Sequence, residues 1–191
     1  MSLIASEEHV VYCFDVLHAH FNNKPKPAIT FNTTTKAPMF ITLHKDNNLR
    51  GCIGTLSPCS LTKMADYVHS SAFKDRRFNP VEAEELQSLD VSVSLLVEYE
   101  NGKDCYDWII GKHGIIIEFH DDDGNNYNAT YLPEVASEQH WSQTQAIESL
   151  IRKSGYKSNT ITTELLESIV LTRYQSSKYN MHYSQYIRMK G

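Results

Sequence analysis

Apolar residues recur along this chain in two rhythms, one with the period of a helix and one with the period of a strand. Val10, Val11, Phe14, Leu17, His18 and Phe21 fall at helical spacing. Ser6 stands before them with Glu7 and Glu8, a hydroxyl to cap free amides and two acids to oppose the helix dipole. Pro25 and Pro27 cannot continue that helix. Residues 40–44 read as a strand, 46–48 (Asp-Asn-Asn) as a turn, and 49–56 (LRGCIGTL) as the return strand, closed by Pro58. Gly51 and Gly54 weaken a plain strand reading and signal a bulge, a ligand contact or the close approach of another backbone. Leu61, Met64, Ala65, Val68 and Ala72 form a helical stripe, which the polar run 74–80 (KDRRFNP) breaks. Val91, Val93 and Leu95 then alternate with Ser92 and Ser94, the mark of a strand with one buried face.

The same order returns in the second half. Residues 115–120 predict a strand, 121–126 (DDDGNN) a tight turn, and 127–132 its partner, with Pro133 as its end. A helix follows over 141–153, a short helix over 162–167 and a closing strand over 169–174. The pattern is hairpin, helix, strand, taken twice, at approximately 38–100 and 112–175, with no repeat at the level of residues. It predicts an α/β fold: an N-terminal helix and two such units sharing one curved mixed sheet, within a single domain over 1–191. Residues 101–104 are the expected seam, and the tyrosine-rich tail 179–190 receives no predicted place.

Composition narrows the class. The 191 residues suffice for a real core, and 21% charged residues with eleven tyrosines describe a globular chain. A formal net charge of −5 argues against a nucleic-acid binder that works by bulk charge, leaving room only for a local basic patch. Four cysteines without a CxxC pair, no signal-like start and no apolar run of about 18 residues predict a reduced, soluble, intracellular protein with no membrane segment. The nine histidines are scattered without metal-ligand spacing, so no metal is expected. Walker, GxGxxG and GxSxG motifs are absent, which argues against nucleoside-triphosphate hydrolysis, dinucleotide binding and an α/β-hydrolase, and no cofactor is predicted.

The segment LRGCIGTL resembles the signature of the AMMECR domain family. Other stretches agree in order: Ala72, Asp75, Arg77, Phe78 and Pro80 (A-x-x-D-x-R-F-x-P), VSLL at 93–96, His113, Gly114, Ile115 and Glu118, ATYLPEV at 129–135, Trp141, and LTRY at 171–174. The resemblance covers about residues 5–190 and departs from the pattern at Leu56, often phenylalanine, and at Ser154-Gly155, where a Gly-Gly pair is usual. It implies a mixed α/β fold of two β-β-(β)-α-β units in one strongly curved sheet, and a nuclear or cytoplasmic setting. It implies no established reaction. Relatives have been proposed as nucleic-acid-linked regulators or as enzymes, including modifiers of RNA bases, and some prokaryotic relatives sit beside a dioxygenase-like partner and a radical enzyme.

Cys52 is the sharpest chemical candidate. On a regular strand Arg50, Cys52 and Gly54 share a face, where the cation would favour thiolate and the glycine would let a substrate approach. The competing reading is an inert, packed cysteine. His113 is the expected general base, against the alternative of a histidine bonded to a turn. Glu118 and Glu134 are candidate acids; their structural alternatives are a partner for a strand arginine and a helix N-terminal acid. Gly51, Gly54, Arg77 and Glu134 are expected substrate contacts, with Arg77 paired to Asp75 beside Phe78 as the structural alternative. A second basic patch is Arg152, Lys153 and Lys157. Three readings follow: an enzyme using Cys52, Arg50 and His113 on a nucleotide- or nucleobase-like substrate; a non-catalytic module binding RNA or a protein partner; and a purely architectural role for the signature.

Overall fold

The computed structural model describes residues 3–121, 123–158 and 160–191. Its order is α1 (Glu7–Phe21), β1 (Lys36–Lys45), β2 (Asn48–Ser60), α2 (Met64–Phe73), β3 (Leu89–Asn101), β4 (Gly114–His120), β5 (Asn126–Tyr131), α3 (Pro133–Glu138), α4 (Gln143–Lys153), α5 (Thr163–Ser168), β6 (Val170–His182) and α6 (Tyr183–Lys190). The predicted hairpin–helix–strand order is present twice. The strands are ordered β2-β1-β3-β6-β4-β5, and β1 pairs with β2 and β3, and β4 with β5 and β6, all antiparallel. The chain divides into two compact units: one runs up to Leu96 and resumes over Ser177–Gly191, and the other is Val97–Ser176. Strands β3 and β6 therefore each give residues to both.

In the first unit, Met39, Ile41 and Leu43 of β1 alternate into a core with Val91, Val93 and Leu95 of β3, and all six are fully buried. The apolar stripes predicted for α1 and α2 supply the other side through Val10, Phe14, Leu17, Met64 and Val68. The turn between β1 and β2 holds Asp46 and Asn47 at φ of 50° and 63°, the left-handed pair that suits the twist of a hairpin. Strand β2 does not stop at Pro58. It lies at the sheet edge, where a missing amide donor is tolerated, and the ladder slips between Ala37 and Met39 to pass both Pro38 and Pro58.

The tail has a place. Residues 179–182 finish β6, and α6 packs its aromatic residues on α1. The Tyr186 ring stacks on Phe14 with centroids 4.9 Å apart, and its hydroxyl donates to the Asp15 carboxylate at 2.8 Å. Lys190 closes the same contact as an ion pair with Asp15.

The second unit packs Ile115, Ile117 and Phe119 of β4 against Ala146, Ile147, Leu150 and Ile151 of α4, with Trp108 and Leu171. Pro133 ends β5 as expected but also begins α3, since a proline's missing donor costs nothing in a first helical turn. After α4, Ser154 keeps helical angles and Gly155 alone takes the positive φ, so the loss of a second glycine there leaves the helix end undisturbed.

Tyr186→Phe should lower unfolding free energy by about 1 kcal/mol through the lost hydroxyl contact, and Tyr186→Ala by about 3–4 kcal/mol through the cavity it leaves. Denaturant unfolding of the two variants measures both.

Candidate functional site

The LRGCIGTL strand is built from both sides. Ladder partners run Gly51–Leu43, Cys52–Thr42, Ile53–Ile41 and Gly54–Phe40, but slip between Leu43 and His44, because Leu49 already faces His44. Arg50 is the extra residue, a bulge. The expected common face of Arg50, Cys52 and Gly54 therefore holds for Cys52 and Gly54 alone. The Arg50 guanidinium makes two bonds to the Glu85 carboxylate, at 3.0 and 2.8 Å, and two more to the carbonyls of Asn79 and Pro80. Lys45 joins it on Glu85 at 2.9 Å. Arg50 thus ties residues 79–85 to the hairpin and pulls the Glu85 pKa down to about 2, Arg50 being the largest cause.

Arg77 takes the place beside Cys52 that was expected of Arg50. Asp75 accepts the Cys52 backbone N–H at 2.9 Å, and Arg77 Nη2 donates to the Cys52 carbonyl at 3.1 Å and to Asp75 at 2.7 Å. The pair satisfies the free edge of β2 at one residue and thereby blocks strand addition there. Asp75 is nearly buried, and Arg77, followed by bonds from backbone amides, holds its carboxyl well below the usual range. The alternative reading of Arg77 as an ion-pair partner thus has a geometric basis, and its guanidinium also lies 5.5 Å from the Phe78 ring. The buried Ser71 hydroxyl accepts from Ile53 N–H at 3.0 Å and donates to the Ile41 carbonyl at 2.9 Å, which seats α2 on the hairpin. A Cβ at Gly51 would overlap the Ser71 carbonyl oxygen, and one at Gly54 would overlap the Met39 carbonyl and the Phe40 ring. One glycine admits a helix on the core side; the other lets an aromatic ring lie across the strand.

The opposite side of this sheet is polar. Phe40, Thr42 and His44 alternate away from the core, and their partners on β3 are Ser94, Ser92 and Asp90. The Cys52 sulfur lies 3.2 Å from Thr42 Oγ1, and Ser92 Oγ donates to Asn180 Oδ1 at 2.7 Å. The amide of Asn180 reaches Asp90 at 3.5 Å. A row of small hydrogen-bonding side chains, Cys52, Thr42, Ser92 and Asn180, thus crosses four strands beside the Phe40 ring. Cys52 is partly exposed, as is Thr42.

The remaining candidates belong to the second unit, so the structure assembles Arg50, Gly51, Cys52, Gly54 and Arg77 in one place and His113, Glu118 and Glu134 in another unit. His113 is nearly buried, and its Nδ1 accepts the Ile109 N–H at 3.0 Å. Burial, then Lys112 and Arg173, lowers its pKa against the opposing pull of Glu100 and Asp107. Glu118 is exposed, and the strand arginine, Arg173, pairs with Glu100 and Asp107 rather than with it. Glu134 is an exposed acid in the first turn of α3, where it complements the helix dipole. Among the described residues no cluster of three or more potential metal ligands occurs. Sequence reasoning missed Thr42, Ser71, Glu85 and Asn180. Only Ser71 carried a signal, a hydroxyl on the apolar stripe of α2.

Gly51→Ala should lower stability by about 2–4 kcal/mol, because the obstacle is backbone and cannot turn aside. Glu85 has a depressed folded pKa, so its contribution is whole above pH 4.5 and is lost as pH falls from there towards about 2. Arg50→Met should flatten that stretch of the stability–pH curve, measured by urea unfolding at successive pH values.

An uncharacterised protein of Arabidopsis thaliana is 47% identical over 190 residues, covering 96% of this chain and 88% of its own. One of Schizosaccharomyces pombe is 36% identical over 189 residues, covering 95% of each. The crystal structure of an uncharacterised protein from Pyrococcus horikoshii superposes with a TM-score of 0.67 over 93% of this chain and 91% of that one, at 22% identity, and so bears on the fold alone. The AMMECR1 family model matches residues 10–179, and with that span, the signature strand and these relatives in agreement, the chain belongs to the AMMECR1 family.

Proposed function

We propose that the polar face of the first unit binds a small, planar, hydrogen-bonding ligand of nucleobase type, and that the chain works as a binding module rather than through a cysteine–histidine pair. The observation that carries this is the row Cys52, Thr42, Ser92 and Asn180 beside the Phe40 ring. Thr42, Cys52 and Asn180 are at least partly exposed and can offer donors and acceptors, the buried Ser92 holds Asn180 in place, and the half-buried Phe40 ring offers a surface for stacking. The catalytic alternative draws less support. Arg50 spends its guanidinium on Glu85 and two carbonyls, and His113 spends Nδ1 on a backbone amide.

Two observations favour a second reading, in which Cys52 is a nucleophile: the residue is partly exposed, and Arg77 lies on its own carbonyl. Reaction with iodoacetamide distinguishes the two. A catalytic thiol reacts faster than Cys59, the other partly exposed cysteine, with a rate that rises below the ordinary thiol pKa.

A panel of nucleobases and nucleosides titrated into ¹⁵N-labelled protein tests the main proposal. Shifts should gather at residues 40–44, 52–54 and 90–94. Thr42→Val and Asn180→Leu should each weaken binding about tenfold, as expected for a lost ligand hydrogen bond in a partly desolvated site, while Cys52→Ser should bind nearly as the parent does. Saturation by none of the panel, or undiminished binding by both variants, overturns it.

A further inference from the structure

A separate cavity of about 660 Å³ opens in the second unit between the β4–β5 hairpin and α5. Its character comes from two tyrosines. The Tyr156 ring stands at 88° to Tyr127, with centroids 5.4 Å apart, and at 77° to Phe119, which stacks behind Tyr127. The rings form a corner with two aromatic walls. Asp121, Asp123 and Glu164 also line the cavity, against one lysine, Lys157.

The carboxylates are short of cations. Asp121 is held by four neutral donors: the N–H groups of Asp123 and Asn125, the Asn125 side-chain amide, and the Tyr127 hydroxyl at 3.0 Å. Among the described residues, none of the three acids takes part in an ion pair. Acids alone would not specify a ligand. The aromatic corner does, because the negative faces of tyrosine rings attract an ammonium group, and nearby carboxylates add to that field. A metal ion is the wrong occupant: it needs converging ligand atoms, and no such cluster exists among the described residues.

We propose that this cavity receives an organic ammonium group, presented either by a lysine side chain of a partner protein or by a free polyamine. In both, the charged nitrogen sits in the corner of Tyr127 and Tyr156, and the carboxylates of Asp123 and Glu164 balance it. The site is independent of the polar face of the first unit, so either can fail without the other.

The test is a titration of the full chain with Nε-trimethyllysine amide, with spermidine, and with the uncharged tert-butyl isostere of trimethyllysine, followed by ¹H–¹⁵N shifts. At least one ammonium should saturate, with shifts confined to residues 119–127 and 156–168. It should bind about tenfold more tightly than the isostere, the difference expected of a partly desolvated cation–π contact. Tyr156→Leu should abolish that preference. Glu164→Gln, a surface change that leaves the rings in place, should weaken both ammonium ligands several-fold. Tighter binding of trimethyllysine points to a protein side chain, and tighter binding of spermidine to a polyamine; both outcomes uphold the site. Equal affinity for the isostere, shifts elsewhere, no saturation, or a Glu164→Gln variant that binds as the parent does overturns it.

Discussion

The first unit depends on the contact between the backbone of α2 at Ser71 and the backbone of β2 at Gly51. No side chain can stand between them. Because the helix comes this close, the Ser71 hydroxyl can enter the ladder between Ile41 and Ile53, and residues after the helix can reach the sheet edge, where Asp75 and Arg77 fasten Cys52. Arg50 then holds the next segment through Glu85. The signature strand is conspicuous in composition because so many of its atoms are committed within a few residues: Arg50 by its head group, Gly51 and Gly54 by having no side chain, and Cys52 by its backbone.

Periodicity revealed most of the elements, since burial on one face is what both the sequence rhythm and the sheet express. It misjudged boundaries where punctuation residues serve two purposes. Pro58 stops a central strand but is accommodated at an edge, and Pro133 ends β5 while starting α3. The tail stayed opaque because its partners, Asp15 and Phe14, lie some 170 positions away in the chain, where no local pattern can record them.

The candidate site was legible in part. Cys52 and Gly54 could be assigned to one face by counting, but a single bulge removed Arg50, and the glycines that signalled a bulge did not say at which residue it falls. The row of Thr42, Ser92 and Asn180 depends on the register of three strands drawn from distant parts of the chain, so no window of sequence contains it. Glu85 belongs to an acidic run, residues 82–85, in which nothing singles it out beforehand.

The first unit is discontinuous, and this bears on how it is made. Its closing strand and helix lie beyond Ser177, and the Ala5 amide finds its acceptor on the Ser177 side chain. A ribosome therefore delivers α1, the signature hairpin and α2 long before the residues that complete their sheet. Over that interval the uncovered side of β3 waits while the whole of the second unit is synthesised. At about 5–20 residues per second, some 80 residues amount to several seconds of exposure. The second unit is one uninterrupted stretch and meets no such delay, so the chain's middle can be finished before its beginning.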